Sequence, residues 1–355
     1  MKLLGLALLL SVVPVRALSA QAVRGRLVEE VTDVPVVGAL LLLQDSAGKR
    51  VAQGVSGSEG RFSIKAPAPG AYTLRVLRIG YLPVESMVRL SEGETLTRTM
   101  ALAGAPVALP EITVAGTATC GDRARKDTLS AALWTQAGTA LAITAQTVKS
   151  QAYRFQTVLE DRDLDRFGTP SAPRQVNELS ISTWPVRSPS PDTLLTSGFV
   201  ENIEDLVVGP TWYGPDAEFL LSDPFFEGHC FWTVPPGLGD PSEWVGLAFE
   251  PGAKDQRSDI RGTLWLDQAS AELRRLDFNY TRLPKWAREV EAGGTLRFAP
   301  LPGGGWIVQR WMLRVPVPQL DVGSGKVTVL GFRESGGRVT AVLNSRGKVV
   351  QDYDR

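Results

Sequence analysis

The sequence predicts a mainly β protein in two parts. A small antiparallel β-sandwich is expected over residues 23–115, and an α+β domain with a curved antiparallel sheet and one long helix over residues 116–355. Three observations predict this. In the first part, short apolar runs recur about every 8–12 residues between turn formers, which is the spacing of an antiparallel sandwich. A single stretch near residue 130 carries apolar residues at helical spacing. Beyond it, strand-like runs return, joined by hairpin turns such as Asp267-Gln268-Ala269-Ser270-Ala271 and Leu301-Pro302-Gly303-Gly304-Gly305.

Residues 1–22 read as a signal peptide. Lys2 precedes the apolar run Leu3 to Val13, too short for a bilayer, which needs about 20 residues, but suited to a signal-peptide core. Pro14 closes the run, and Ala20-Gln21-Ala22 places small residues for a cut before Val23, with a cut after Ala20 as the alternative. No other stretch approaches about 18 uninterrupted apolar residues, so the mature chain is expected to have no transmembrane segment. The expected location is the periplasm, the outer-membrane periphery or the extracellular space. Without Lys2 and Arg16 the 38 basic residues fall to 36 against 38 acidic ones. That balance leaves no electrostatic footprint for nucleic acid.

In the first part, Val23 to Leu27, Arg50 to Val55, Arg61 to Ile64 and Tyr72 to Val76 read as strands. Ala39 to Leu43 is continuously apolar, as a strand buried on both faces would be. Gly38 and Gly60 stand where a turn needs positive φ, and Pro69-Gly70 suits a type II turn. Phe62, Tyr72, Leu74 and Val76 supply an alternating inward face, while Tyr81 is expected to be exposed.

These residues also carry a resemblance. Pro35-Val36-Val37-Gly38-Ala39, Gly60-Arg61-Phe62 and Pro69-Gly70-Ala71-Tyr72-Thr73-Leu74 resemble the carboxypeptidase regulatory-like domain. Ile79-Gly80-Tyr81 before Pro83 is similar to the form of that domain found in bacterial envelope proteins. The resemblance implies a transthyretin-like Greek-key sandwich of about seven strands, of a type often shared by carbohydrate-binding modules.

The helix is expected from about Lys126 to Ala145, with Leu129, Ala132, Leu133, Gln136, Ala140 and Leu141 on one face. Strands are then expected at Tyr153 to Leu164, Asn177 to Val186, Phe219 to Leu221, Cys230 to Val234 and Trp244 to Phe249. More follow at Ile260 to Leu266, Leu273 to Tyr280, Gly294 to Phe298, Trp306 to Val315 and Val339 to Leu343. A curved sheet around one helix is similar in shape to lipoprotein-carrier half-barrels.

The chemistry is sparse. The lone histidine, His229, adjoins Cys230, and neighbouring strand residues point to opposite faces, so they form no catalytic pair. One imidazole cannot assemble a metallocarboxypeptidase ligand set, and no Gly-x-Ser-x-Gly elbow serves it. In an oxidising compartment Cys120 and Cys230 are expected to form a disulfide. Asp161, Asp163 and Asp165 would share one strand face, but without the glycine turn and terminal glutamate of a calcium loop they read as a solvated strand edge. A possible ligand groove is expected among Trp212, Tyr213, Phe231, Trp232 and Trp244. No cofactor or metal site is expected. The reading is a non-enzymatic exported envelope module that binds or scaffolds a glycan, a peptide or an envelope protein. The alternatives are a lipid or lipoprotein carrier using the second domain, and a periplasmic hydrolase with unmarked paired carboxylates.

Overall fold

The computed structural model describes residues 21–104, 119–120, 128–183, 188–202, 209–252 and 257–354. The expected leader as far as Ala20, the start of the expected helix and the last residues of the strand expected over Asn177 to Val186 lie outside these residues; that strand runs from Arg174 to Ser180 instead.

The first part is a seven-stranded sandwich. Its strands are β1 (Ala22–Glu29), β2 (Leu40–Gln44), β3 (Arg50–Val55), β4 (Arg61–Lys65), β5 (Gly70–Leu77), β6 (Val84–Leu90) and β7 (Thr95–Leu102). One sheet is ordered β4-β1-β7 and the other β3-β2-β5-β6. Val23, Leu27, Phe62, Ile64, Tyr72, Leu74 and Val76 fill the space between them. Gly60 has φ +70°, and a Cβ there would lie 2.2 Å from the Leu27 carbonyl oxygen, so only glycine fits. Two details differ from expectation. Gly70 does not take positive φ but opens β5 opposite Leu90. Tyr81 is half-buried against the sandwich core rather than exposed. Ala22 already pairs with Lys65 and Thr95, and the Gln21 amide donates to the Ala66 carbonyl at 2.9 Å. A cut before Val23 would remove both residues, whereas a cut after Ala20 would leave the sandwich whole.

The second part begins with β8 (Thr119–Cys120) and the 22-residue helix α1 (Thr128–Lys149). There follow β9 (Tyr153–Asp165), β10 (Arg174–Ser180), α2 (Pro191–Ser197), β11 (Val200–Glu201), β12 (Thr211–Trp212), α3 (Ala217–Leu220) and α4 (Asp223–Gly228). The chain continues through β13 (His229–Val234), β14 (Trp244–Pro251), β15 (Asp259–Asp267), β16 (Leu273–Thr281), α5 (Lys285–Arg288), β17 (Gly293–Pro300), β18 (Trp306–Asp321), β19 (Lys326–Asn344) and β20 (Val349–Asp352). An 11-stranded sheet runs β10-β9-β19-β18-β17-β16-β15-β14-β13-β8, with β20 also on β19. The meander from β13 to β19 follows the expected hairpins. Phe219 to Leu221, expected as a strand, instead falls on the short helix α3 and its C-cap, because Asp216 caps it by accepting the Phe219 N–H at 2.7 Å. β18 and β19 are far longer than their apolar runs. Polar and glycine-rich residues 326–338 hide the strand pattern, and a register shift at Val317/Pro318 admits the proline.

The helix α1 is where the two parts meet. No charged residue occurs between Thr128 and Val148, and beyond Thr128 only Ala145 and Lys149 are exposed. Such a helix is stable only if covered on all sides. Leu247, Leu264, Leu276 and Leu296 of the large sheet cover one side, and Leu40, Leu77 and Ile79 of the sandwich join the same core. β2 therefore faces two cores, with Leu41 and Leu43 inward and Leu40 toward α1. The hydroxyls of Thr135, Thr139, Thr144 and Thr147 each donate at 2.8 Å to the carbonyl four residues earlier, which removes the cost of burying them. Buried Gln136 accepts from the Gly80 N–H at 3.0 Å and donates to the Tyr81 carbonyl at 3.4 Å. The Ile79-Gly80-Tyr81 segment is thus a docking point for the helix.

At one further point the parts touch backbone to backbone: a Cβ on Gly38 would lie 2.2 Å from the Gly304 Cα. Gly38 also has φ +76°. Gly38→Ala is expected to cost about 1–3 kcal/mol through strain and clash, read as a lower denaturant midpoint. Gln136→Leu, which strands the Gly80 N–H, is expected to cost about as much. Unchanged midpoints for both variants would show that the parts do not meet in this way.

Candidate functional site

The five aromatics expected to line a groove divide between the two faces of the large sheet. Phe231 points to α1 and is buried, its ring centroid 5.4 Å from Trp134 and 5.0 Å from Phe226. Trp212 and Tyr213 border the same core. The Trp212 ring lies 5.0 Å from Tyr280. The Tyr213 hydroxyl donates to Glu201 at 2.8 Å, and its carbonyl accepts from the Tyr280 hydroxyl at 2.7 Å. Burial pushes the Tyr280 phenol well above its usual range. Trp232 and Trp244 stand on the other face, because they alternate with the inward Phe231 and Val245. Closeness in sequence here is not closeness in space.

On that outer face Trp244 is already occupied. The Arg275 guanidinium lies 5.2 Å from the Trp244 ring and 5.4 Å from the Trp265 ring. It also bonds Asp240 and Asp277, each at 2.7 Å. Asp277 accepts further from Trp265 Nε1 and the Thr295 hydroxyl, each at 2.9 Å. The hydrogen bond from Arg275 holds the Asp240 carboxyl below the ordinary carboxylate range. Arg275 comes from β16, Asp240 from the β13–β14 connection and Thr295 from β17. No sequence spacing joins them, so sequence reasoning missed this cluster.

His229 is buried on the inner face beside Phe225 and Phe249. Its Nδ1 lies 2.8 Å from the Phe225 carbonyl oxygen, and its Nε2 lies 3.3 Å from that of Ile260 and 3.5 Å from Asp259. Both ring nitrogens face backbone oxygens, and neither is aimed at a hydroxyl. The nearby Ser258 hydroxyl accepts from the Val200 N–H at 2.8 Å. The adjoining cavity, about 130 Å³, is lined by Leu194, Phe199, Asp259 and Arg282 among others. His229 itself borders this cavity, with its ring held between the two carbonyls.

The acidic run, expected as a strand edge, lies on β9 between β10 and β19, and several of its side chains are engaged locally. Arg162 bonds buried Glu334 at 2.6 Å, and Arg333 meets Asp163 at 3.2 Å. Asp165 accepts the N–H groups of Phe167 and Thr169 at 2.8 Å each, and these bonds, that of Thr169 foremost, hold its carboxyl below the ordinary range. Among the described residues no three His, Cys, Asp or Glu side chains converge as metal ligands. Cys120 on β8 stands directly opposite Cys230 on β13.

Residues 22–103 match the family model of the carboxypeptidase regulatory-like domain, which makes the first part a domain of that class with a transthyretin-like sandwich. The match ends before α1 and the large sheet. No curated protein matches the chain. Among solved structures, the pilus 2b backbone protein of group B streptococcus is 16% identical, over 24% of this chain and 41% of its own, with TM-score 0.22. The 5-hydroxyisourate hydrolase of Klebsiella pneumoniae is 14% identical, over 24% of this chain and 90% of its own, with TM-score 0.20. The Bacillus anthracis TIE protein is 15% identical, over 44% of this chain and 25% of its own, with TM-score 0.22. This chain thus spans less than half the length of that pilin, and none of these likenesses carries an argument about activity.

One carboxyl runs against the others. Burial raises Asp216 above its usual value, against the opposing hydrogen bond from the Phe219 N–H. A carboxyl raised in the folded state favours folding while protonated and loses that advantage as pH rises from its unfolded value through its folded one. Asp216→Asn keeps a capping acceptor and removes the titration. Its stability relative to wild type is therefore expected to grow across that window, from about pH 4 upward, and then level off. A stability difference that is flat with pH, measured by denaturation from pH 3 to 8, would contradict this.

Proposed function

We propose that the chain is an exported, non-enzymatic cell-envelope protein whose two parts form one rigid scaffold for a partner, an envelope protein, a peptide or a glycan. The observation that carries this reading is the shared core: α1 is buried jointly by the sandwich and the large sheet. Such an arrangement fixes the relative orientation of two surfaces, which is what a scaffold requires. The engagement of His229, Asp163, Asp165 and Asp277 in structural contacts supports the non-enzymatic reading. The carrier alternative is disfavoured by the occupant of the concave face. An acyl chain would have to displace α1, Trp134 and Phe225, which pack there.

The same reading joins Cys120 and Cys230 by a disulfide, supported by their directly opposed positions on neighbouring strands. It would close a loop of about 110 residues and tie the two-residue edge strand β8 to the sheet. Intact mass under non-reducing conditions is expected to be two hydrogens below that of the reduced chain. Cys230→Ser is expected to cost about 2–5 kcal/mol.

The functional reading is tested by native mass spectrometry of the full chain recovered from the cell envelope. The expected outcome is a species free of acyl lipid. A lipid bound one to one would overturn the scaffold in favour of the carrier, and recovery from the cytosol alone would overturn export.

A further inference from the structure

The register of the large sheet lines up four arginines that are scattered in the sequence. Arg275 on β16 is directly opposite Arg297 on β17, Arg297 is opposite Arg310 on β18, and Arg310 is opposite Arg338 on β19. All four project from the outer face, since their neighbours Leu276, Leu296, Trp311 and Val339 pack into the cores. Successive arginines are therefore one strand apart, about 4.8 Å.

Like charges directly opposite one another destabilise a sheet, so this row calls for a reason. The two ends are neutralised within the chain. Asp240 and Asp277 pair with Arg275, and Asp354 pairs with Arg338. The two central residues, Arg297 and Arg310, are exposed and enter none of the ion pairs found among the described residues, although Arg297 lies close enough to Asp240 to add to the pull that Arg275 exerts on its carboxyl. Beside Arg310 the row opens onto a notch of about 140 Å³. It exists because Gly336 offers no side chain between Met312 and Glu160, and Arg162, Arg310, Arg338 and Glu334 line it. Glu334 is already taken by Arg162. Arg310 thus borders a small opening, with Arg297 one strand further along the row.

We propose that this row binds a linear anionic polysaccharide, one carrying a carboxylate, sulfate or phosphate at intervals of about one sugar. The proposal rests on the exported reading above for where such a polymer would be met. The strand spacing is close to the length of one sugar in an extended chain, so two neighbouring charges of the polymer meet the guanidinium groups of Arg297 and Arg310. Glu160 lies on the next rung beside the row and repels a polymer as dense as duplex DNA, with its one charge per about 1.7 Å, more than a sparsely charged one.

The test uses the purified full-length chain with polygalacturonate and dextran sulfate as charged probes and neutral dextran as control. Wild type is expected to bind the charged probes, increasingly weakly as salt rises, and to ignore neutral dextran. Arg297→Gln/Arg310→Gln is expected to lose about tenfold or more in affinity for want of charge-assisted contacts, while melting no lower than wild type. Arg89→Gln/Arg346→Gln, off the row, should bind within about twofold of wild type, and Arg310→Lys, which keeps the charge but loses the guanidinium fork, should bind between the row variant and wild type. The proposal is overturned if the row variant binds like wild type, or if it melts lower, which would make the row a structural device. Tighter binding of single-stranded DNA than of either glycan at equal salt would also overturn it. Glycan binding by a protein found only in the cytosol would refute export and leave the binding site standing.

Discussion

The structure depends on the burial of one uncharged helix from two sides. α1 carries no charge before Lys149 and would be insoluble as a surface helix. The large sheet covers only part of its circumference, and the sandwich strand β2 covers more. Each partner thereby gains a surface it could not leave exposed: the sandwich hides Leu40 and Ile79, and the sheet hides its row of leucines. The threonines that cross this boundary satisfy their own hydroxyls against the helix backbone. Gln136 and the Gly38–Gly304 crossing then fix how the two bodies sit. Apolar burial supplies the affinity between them, and the polar and glycine contacts supply the geometry.

The same logic accounts for the fate of the reactive side chains. A long antiparallel sheet with one face on a helix sorts every residue to one side or the other. His229 falls on the inner side and is fixed between carbonyls, while Trp244 falls on the outer side and is covered by Arg275. The tryptophan-rich region contributes to two unrelated surfaces. Chemistry that looked concentrated along the chain is divided by the pleat.

Register gives the outer face its own character. Bulges at Trp265/Leu266, Arg297/Phe298 and Val317/Pro318 interrupt the ladders. The rung formed by Arg275, Arg297, Arg310 and Arg338 passes through unbroken. Charge neutral overall, the chain nonetheless sets two exposed arginines, Arg297 and Arg310, side by side between two that are ion-paired. Composition averages that arrangement away.

By itself the sequence determined the elements whose signals are local. Strand β2 was legible as buried on both faces because Ala39 to Leu43 is apolar at every position, and the structure places it between two cores. The positive φ at Gly38 and Gly60, the long helix and the hairpins at Asp267–Ala271 and Leu301–Gly305 were legible for the same reason, as each is written in neighbouring residues. The helix at Ala217–Leu220 was not, since its cap at Asp216 outweighs a strand-like apolar triplet. The glycine- and proline-broken arms of β18 and β19 were not either, because pairing rather than pattern holds them extended. Only the tertiary structure decided that the sandwich and sheet share a core, that the five aromatics part company, and that four distant arginines stand side by side. Those facts depend on which strand lies beside which and in what register. Register is set by contacts between residues far apart in the chain, and no local pattern records it.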